Sequence, residues 1–480
     1  MNYGMLRRVL GNLLVFEAFA LIIPLGISSY YRGVDLFPIL HTIIIMLIFG
    51  YPLSKSKVKS KHLKSKDALS IVTLSWFFIS AFGALPFVFS GVLPSFTDAF
   101  FETVSGLTTT GATVIANVEI LPKGLLFWRS FLHWIGGMGI LVLALAIMPT
   151  VGVGAFQIFK AESPGPISDK IAPKMRDTAK ILSTAYLGIT VIETVLLMLG
   201  GMSLYEALIN TFGTVGTGGF SNYNNSIAHY NNYYFFTVIA VFMAASGVNF
   251  SLYYNLYRGQ IKSIFSNIEF KVYLFILTIS TLLVFLNISG MYGNIFEDII
   301  QAFFQVSSIM TTTGYATVDF NLWPDFSKAV LFMLMFVGGS AGSTGGSIKV
   351  IRLVILFKLI KREVQKILHP RATLPIQLNG KMLTSDVISS VTGFFFLYIL
   401  LFVGGTLLIS LENIGLVSAA SAVAATLGNI GPGLDMVGPV QNYAFFSDPS
   451  KWLLTMMMLL GRLELFTLFL LLTPSYWKKI

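Results

Sequence analysis

Long apolar stretches alternate with short polar segments along the whole chain. The stretches are roughly 20 residues long, which is the length that a helix needs to cross the hydrocarbon core of a bilayer. Two of them come first, at 8–30 and 37–53, and four pairs follow. We predict the first helices of the pairs at 68–90, 180–201, 271–290 and 384–410, and the second helices at 124–150, 232–257, 327–357 and 451–473. The pattern predicts ten membrane crossings.

Each pair encloses a shorter segment, about half a crossing in length at a rise of about 1.5 Å per residue. These segments lie at 95–107, 203–212, 295–310 and 415–425. Each leads into a patch rich in threonine and glycine: SGLTTTGATV at 105–114, TFGTVGTGGFS at 211–221, SIMTTTGYATV at 308–318 and AATLGNIGPG at 424–433. We expect each segment to enter the membrane and return to the same side.

The pairs and patches indicate one unit copied four times. If Gly111, Gly216, Gly314 and Gly428 are equivalent, successive units are 105, 98 and 114 residues apart. We therefore predict an all-α integral membrane protein, with four M1–pore helix–M2 repeats around one pore, preceded by two extra transmembrane helices. The predicted boundaries are 1–66 for the two extra helices and 67–155, 156–262, 263–368 and 369–480 for the repeats.

The composition agrees with this architecture. Of the 480 residues, 55% are hydrophobic and only 11% are charged, with a mean hydropathy of +0.77. Soluble domains carry about 25% charged residues, so the composition excludes a water-soluble fold. The chain has no cysteine, which excludes disulfides and thiol catalysis.

The net charge of +10 is concentrated in alternate loops. Six basic residues lie within 55–66, five within 160–180, three within 258–271 and eight within 349–381, and both ends of the chain are basic. By the positive-inside rule, these loops and both termini are cytoplasmic, as an even number of crossings requires. The excess of basic residues therefore indicates membrane topology rather than a nucleic-acid partner. We expect the chain to lie in the cell (inner) membrane, in contact with membrane lipid.

The four patches carry the chemistry of a cation filter. Non-helical backbone at membrane depth is tolerated only where protein buries it or where it lines a watery cavity. Glycine adopts a positive φ at little steric cost, so a Thr-x-Gly segment can turn its carbonyl groups toward a shared axis. A ring of such oxygens replaces the hydration shell of an ion. The half-length helices point their partially negative ends at the same place, which favours a cation.

The sequences of the patches resemble those of potassium channels. Thr214-Val215-Gly216-Thr217-Gly218 differs at one position from the TVGYG loop, and Thr312-Thr313-Gly314-Tyr315 keeps its Gly-Tyr pair. The fourfold pattern in one chain resembles the Trk/Ktr/HKT superfamily, and the two extra helices make it similar to the bacterial Trk membrane subunit. The resemblance implies potassium bound in a filter formed by Thr109, Thr110, Gly111, Thr214, Val215, Gly216, Thr312, Thr313, Gly314, Thr426, Leu427 and Gly428.

The same resemblance implies partners and a gate. It implies a homodimer with one pore per protomer and a separate cytoplasmic nucleotide-binding regulatory subunit, TrkA-like. The run of small residues at 338–347 is a poor helix former and should break the second helix of the third unit. In the family, this segment is an intramembrane loop that obstructs the pore and moves on gating. The implied gate residues are Gly338, Gly339, Gly342, Gly345 and Gly346.

A phosphate-binding loop is a poor alternative for the run at 338–347, since that motif needs Gly-Lys-Ser/Thr after a strand and Ser347 follows Gly346 here.

Arg462 places a charge inside the last predicted crossing, which makes it a functional candidate. Within a Trk-like Gly-Arg-Leu-Glu sequence, it is expected to be an electrostatic barrier below the filter. The alternative is a structural ion pair with Glu464 or a neighbouring helix. We assign packing or interfacial roles to Arg129 and Glu193.

Two other classes of function fit these patterns less well. A secondary transporter of another cation or solute is the stronger rival, but it predicts halves of inverted topology, whereas all four units run in the same orientation. Intramembrane proteolysis needs paired catalytic groups within the crossings, and none stands out in the sequence, so we predict that the chain is not an enzyme. The residues do not choose between a channel and proton- or sodium-coupled symport.

Overall fold

The computed structural model describes residues 2–58, 65–139, 175–372, 374–463, 465 and 473. Within these residues almost all of the regular secondary structure is helical. One antiparallel hairpin is formed by β1 (Gln377–Leu378) and β2 (Lys381–Met382), with Gln377 opposite Met382.

Three helices precede the repeats. They are α1 (Tyr3–Ala20), α2 (Ile22–Tyr30) and α3 (Leu36–Ser54). Helices α1 and α3 approach closely at two glycines, Gly11 and Gly50. A Cβ atom at Gly50 would lie 2.9 Å from the Cβ atom of Leu14. Small residues at a helix crossing allow this close contact, as is common for helices in membranes.

The four units follow in order, each with a long first helix, a short helix and a second helix. The first unit has α4 (Ser65–Gly83), α5 (Leu85–Phe89), α6 (Phe96–Leu107) and α7 (Lys123–Met138). The second has α8 (Met175–Leu199), α9 (Leu204–Val215), α10 (Tyr233–Ser246), α11 (Phe250–Tyr257) and α12 (Ile261–Ser266).

The third unit has α13 (Ile268–Ile288), α14 (Ile295–Met310), α15 (Asp325–Leu334) and α16 (Val350–Leu368). The fourth has α17 (Ser385–Ile409), α18 (Leu416–Leu427) and α19 (Asp448–Arg462). Single turns of 3-10 helix lie at Ser226–Tyr230, Phe320–Leu322, Ser410–Glu412 and Asp435–Val437.

These helices confirm the predicted fold class. Within the described residues, six helices are long and apolar enough to cross a membrane, or seven if α10 and α11 count as one bent span. The later parts of the helices predicted at 124–150 and 451–473 fall largely outside the described residues. Ten crossings therefore stays a prediction.

The predicted break in the third unit is confirmed, because α15 ends at Leu334 and the next helix begins at Val350. The prediction of one continuous helix at 232–257 is wrong. The chain bends by 95° between α10 and α11. The Asn249 side chain caps α11 at its start, and the backbone N–H of Phe250 donates to the carbonyl oxygen of Gly342 at 3.1 Å. The bend therefore accommodates the loop of the third unit.

The units form a ring because the second helix of one unit packs against the short helix of the next. Helix α7 packs on α9, α10 packs on α14, and α19 of the last unit packs on α6 of the first. Each of these short helices also contacts its own unit's first helix or second helix. The arrangement brings the C-terminal ends of the four short helices, which are buried, to the centre of the molecule.

Candidate ion filter and gate

The four patches begin where the four short helices end. The C-terminal capping residues are Thr108, Gly216, Thr311 and Gly428, and each still has right-handed or nearly right-handed backbone angles. Two positions later, the backbone N–H reaches back to a helix carbonyl at 2.8 Å in every unit. The pairs are Thr110 to Ser105, Gly218 to Gly213, Thr313 to Ser308, and Ile430 to Ala425. The four segments therefore leave their helices in the same way.

Backbone handedness then alternates in each segment. The first residue with positive φ is Thr109 (55°), Thr217 (56°), Thr312 (61°) or Asn429 (55°), and the second is Gly111 (81°), Gly219 (75°), Gly314 (81°) or Gly431 (100°). The residue between them does not have a positive φ. Alternating handedness turns successive carbonyl groups to the same side of the chain, which is what a carbonyl-lined filter requires.

Three of these left-handed residues are threonines. A β-branched residue with positive φ is a genuine outlier, and each costs about 1–3 kcal/mol unless the surroundings enforce it. In the fourth unit Asn429 takes the position, and asparagine tolerates it better. Its amide nitrogen donates to Thr110 Oγ1 and to the carbonyl oxygen of Met458, both at 2.9 Å. Such repeated strain is typical of functional backbone.

The four segments close into a ring around one axis. A methyl group on Gly111 would clash with the carbonyl oxygen of Gly218, and one on Gly431 would lie 2.6 Å from the carbonyl oxygen of Thr110. The remaining contacts pair Gly219 with the carbonyl oxygen of Thr313, and Gly314 with that of Ile430. Each left-handed glycine thus makes room for a carbonyl group of the next unit, from the first unit through to the fourth and back.

A cavity of about 100 Å³ opens on one side of this ring. All four left-handed glycines line it, together with Tyr443, Pro432 and Asn224. It lies on the side of the loops between each short helix and the second helix of its unit. These are the loops that lack positive charge, so the cavity is the predicted outer mouth.

The structure corrects the predicted alignment of two units. Gly111 and Gly314 are equivalent, as predicted, but their counterparts are Gly219 and Gly431 rather than Gly216 and Gly428. Thr214 and Val215 form the end of α9, and Thr426 and Leu427 form the end of α18. The Thr214 hydroxyl donates to the carbonyl oxygen of Asn210 at 2.8 Å, within its own helix. Helix α9 ends three residues later than predicted and α18 ends two residues later, and the left-handed glycine of each unit lies three positions after the predicted one.

The non-helical stretch between α15 and α16 lies directly against the helix ends. The Cβ position of Gly345 is 3.0 Å from the carbonyl oxygen of Thr311, and that of Gly346 is 3.2 Å from Asn429 Oδ1. The backbone N–H of Gly346 donates to Thr312 Oγ1 at 2.7 Å. Residues 338–347, which we call the gate loop, therefore contact the left-handed residues of two units on the side opposite the mouth.

Further contacts hold both ends of the gate loop. Gly338 N–H donates to the carbonyl oxygen of Ile348 at 2.9 Å, and Val350 N–H donates to that of Gly339 at 3.2 Å. Gly342 has a φ of 76°, and its carbonyl oxygen accepts the hydrogen bond from the backbone N–H of Phe250 at the bend of the second unit. The Lys349 ammonium group donates to the carbonyl oxygen of Gly345.

Arg462 lies at the end of α19 and contacts two other units. Its guanidinium group donates to the carbonyl oxygens of Thr344 (2.8 Å), Gly136 (2.5 Å) and Gly137 (3.2 Å). The charge thus joins the first unit, the gate loop and the fourth unit on the gate-loop side of the ring. Glu464, the alternative partner, lies outside the described residues.

Sequence reasoning missed three groups that brace the site. Arg129, interpreted as a packing residue, is 2% exposed and forms a buried ion pair with Glu102 next to the filter segments. Tyr315 donates to the carbonyl oxygens of Asn210 and Phe220, both at 3.1 Å, and so ties the third unit to the second. In the sequence, the only signals were the charge of Arg129 within a predicted crossing and that of Glu102 within a predicted half-length segment.

The third missed residue is Glu269, at the start of α13. Its Oε1 atom accepts from the backbone N–H of Ala341 at 2.7 Å and from that of Ile351 at 3.1 Å. One buried oxygen atom therefore binds both the gate loop and the first turn of α16. A glutamate near a helix start reads as an ordinary N-terminal residue in the sequence, so nothing marked it.

Comparison with known proteins agrees with this arrangement. The TrkH family, described as a cation transport protein, matches residues 36–479. The ring of four units and this match define the chain as an integral membrane cation transport protein. The Trk system potassium uptake protein TrkH of Escherichia coli (strain K12) is 39% identical, with 100% of each chain covered. TrkG of the same strain is 35% identical, covering 98% of this chain and 97% of that protein.

A solved structure also matches the whole chain. The crystal structure of the potassium transporter TrkH from Vibrio parahaemolyticus superposes with a TM-score of 0.90 at 37% identity, and each chain is covered completely. The chain belongs to the TrkH family of Trk potassium uptake transporters. The family resemblance seen in the sequence is confirmed.

Proposed function

We propose that this chain takes up potassium through a selective filter at the centre of the four-unit ring. The observation that carries the proposal is the closed ring of contacts between each left-handed glycine and a carbonyl group of the next unit. The converging C-terminal ends of four short helices favour a cation at the same place. The relatives named above are potassium uptake proteins. Potassium is the transported ion, and in this proposal the chain is a transporter rather than an enzyme.

The ion ligands in this proposal are revised for two units. The carbonyl groups of Thr110, Gly218, Thr313 and Ile430 form one ring, and the left-handed residues before them form the next layer toward the gate loop. Thr109, Thr110, Gly111, Thr312, Thr313 and Gly314 thus keep their predicted role. In the second unit, Thr217–Gly219 replace the predicted ligands at 214–216. In the fourth unit, Asn429–Gly431 replace those at 426–428.

The gate in this proposal is the gate loop together with Arg462. The loop lies against the left-handed residues of the third and fourth units, where it obstructs the path of an ion leaving the filter. The three carbonyl oxygens that Arg462 contacts hold its charge on the same side of the ring. A fixed positive charge below the filter repels a cation, so opening requires both the loop and the guanidinium group to move.

The predicted boundaries of the units, the inner-membrane location and the cytoplasmic termini belong to the same proposal. They are supported by the basic loops and by the order of the helices. The chain has no cysteine, so single cysteines report sidedness without background. Asn225 and His369 are exposed and lie on predicted opposite sides. Labelling of both variants from the same side by an impermeant reagent would contradict this topology.

A cytoplasmic regulatory subunit fits the exposed end of α16. This helix starts beside the filter and is 19 residues long, so its last residues extend beyond an inner leaflet about 15 Å thick. Phe357, Ile360, Val364 and Ile367 are more than half exposed and form one apolar stripe. Lysines and arginines flank the stripe. We assign this surface to the nucleotide-binding subunit, while the homodimer follows from the family resemblance alone.

The proposal is tested by ion flux into proteoliposomes that contain only the purified chain. Rubidium uptake against an internal potassium load, with sodium largely excluded, is the expected result. Equal sodium and rubidium uptake would contradict selectivity. Protein-free liposomes are the control for leak.

A further inference from the structure

A buried ion pair lies behind the filter segments of the first two units. Glu102 is on the short helix α6, and Arg129 is on the second helix α7 of the same unit. Glu102 Oε1 lies 2.6 Å from Arg129 Nε, and the two side chains are 0% and 3% exposed. Burying two charges is unfavourable unless geometry and further hydrogen bonds compensate. The position of the pair and its other contacts therefore matter.

Each member of the pair holds a different filter segment. Glu102 accepts from the Thr113 hydroxyl at 2.9 Å and from the backbone N–H of Val114 at 3.0 Å, just after Gly111. Arg129 Nη1 donates to the carbonyl oxygen of Ser221 at 3.1 Å, two residues after Gly219. Its guanidinium carbon also lies 3.4 Å from the centre of the Phe220 ring. The ion pair therefore joins the outer part of one filter segment to that of the next.

The equivalent position in the other units carries no charge. Nine residues before the left-handed glycine stand Glu102, Asn210, Gln305 and Ala422. Gln305 donates to Thr317 Oγ1 at 3.2 Å, so the third unit braces its segment with a neutral hydrogen bond. Asn210 contributes its carbonyl oxygen to Tyr315. Helix propensity and packing do not require a charge at this position, because three units do without one.

We propose that Glu102 and Arg129 are positioning residues that set the preference of the filter for potassium over sodium. Selectivity of a carbonyl ring depends on the spacing and the number of the oxygens around the ion. The pair fixes the distance between the first two segments, and neither residue is among the proposed ion ligands. This inference rests on the proposed function and goes beyond it by assigning selectivity to residues outside the filter.

Two variants test the positioning role. Glu102→Gln keeps the size of the side chain and copies Gln305, but it leaves Arg129 without a counter-charge. Arg129→Lys keeps the charge, but one ammonium group cannot replace a planar fork that contacts Glu102 and Ser221 at once. The matched control is Asp98→Asn, on the same helix, whose partner Lys451 lies 2.6 Å away and which does not contact a filter segment. The readout is the potassium-to-sodium permeability ratio in proteoliposomes.

We expect Glu102→Gln and Arg129→Lys to lower the permeability ratio about tenfold while total cation flux persists, and Asp98→Asn to keep the wild-type ratio. A tenfold change corresponds to about 1.4 kcal/mol of discrimination. If both brace variants give monodisperse protein with the wild-type ratio, the positioning role is wrong. If a single variant does not fold, Glu102→Gln/Arg129→Gln removes the unpaired charge, and a wild-type ratio in that double variant overturns the proposal.

The same experiment separates this inference from the proposed function. A wild-type chain that passes both ions equally contradicts the proposed filter itself. A selective wild-type chain with selective variants contradicts only the role of the ion pair. A fall of the ratio in Asp98→Asn as large as that in Glu102→Gln would also overturn the inference, because loss of any ion pair on α6 would then have the same effect.

Discussion

The hydroxyl oxygen of Thr312 accepts a hydrogen bond from the backbone N–H of Gly346 at 2.7 Å. This bond joins a left-handed filter residue directly to the gate loop. Both residues are buried, so the N–H group has no water to replace a lost partner. In the proposed mechanism, this bond couples the filter to the gate loop, and opening must break it.

Removing that acceptor should favour the open state. Thr312→Val keeps the shape and the β-branch but leaves the Gly346 N–H unpaired in the closed arrangement, which costs about 1–3 kcal/mol. We expect rubidium flux to rise about tenfold with little change in selectivity. Thr281→Val is the matched control, since the Thr281 hydroxyl bonds only to Leu277 of its own helix. Unchanged flux in Thr312→Val would show that this bond does not restrain the loop.

Glu269 should restrain the loop through its acceptor oxygen rather than its charge. Glu269→Ala removes the group that binds Ala341 and Ile351, so we expect higher flux and faster proteolysis or hydrogen exchange of the gate loop. Glu269→Gln retains an acceptor oxygen of the same reach and should stay near wild type. The measurement is hydrogen exchange of residues 338–351 together with rubidium flux. Equal loosening in both variants would assign the effect to charge instead.

Arg462 should act as a barrier. Arg462→Ala removes the positive charge and three hydrogen bonds to carbonyl oxygens, and we expect potassium flux to rise about tenfold or more, since a barrier lowered by about 1.4 kcal/mol gives that factor. Arg362→Ala is the control, because Arg362 pairs with Glu363 in the second half of α16, away from the gate loop. Flux that is unchanged or reduced in well-folded Arg462→Ala would remove the barrier role.

The corrected alignment makes a prediction of its own. Gly219→Ala forces a left-handed residue to carry a side chain that clashes with the carbonyl oxygen of Thr313. We expect the permeability ratio for potassium over sodium to fall at least tenfold. Thr426→Val should keep the wild-type ratio, because the Thr426 hydroxyl bonds only to Ala422 and Val423 within α18. The opposite pattern, with Thr426 sensitive and Gly219 tolerant, would restore the alignment predicted from sequence.

The misassigned glycines show which features of the fold and the site can be predicted from the sequence. Apolar length and glycine-rich breaks predicted the helices, because the membrane imposes both. The equivalent glycine of the second unit was misassigned because Thr214-Val215-Gly216 and Thr217-Gly218-Gly219 both fit Thr-x-Gly. In the fourth unit, Asn429 replaces the threonine and hides the match. Which glycine turns left-handed depends on where the preceding helix ends, and local composition did not determine that.

One signal could have resolved the ambiguity. The residues preceding the short helices are Ser95, Ser203 and Gly415, and the left-handed glycine stands 16 positions after each of them. Aligning helix starts would therefore have given the correct glycines in these units. The braces formed by Arg129, Tyr315 and Glu269 lie outside the reach of such counting, because their partners are more than 25 residues away in the chain.

The apolar stripe on α16 is the surface that we propose for binding the cytoplasmic regulatory subunit. Val364→Glu places a charge in the centre of the stripe, and we expect at least a tenfold loss of affinity for that subunit with basal flux unchanged. Glu363→Gln, on the neighbouring polar face, is the control. Affinity is measured with the detergent-purified chain and the separately purified subunit. Wild-type affinity in Val364→Glu would place the interface elsewhere.

The position of the bound ion tests the central claim most directly. Crystals grown in rubidium chloride locate the ion by its anomalous scattering. The account predicts a peak on the axis of the ring, at the level of the carbonyl oxygens of Thr110, Gly218, Thr313 and Ile430. A peak only beside the helix ends at Gly216 and Gly428, or no peak on the axis at all, would contradict it.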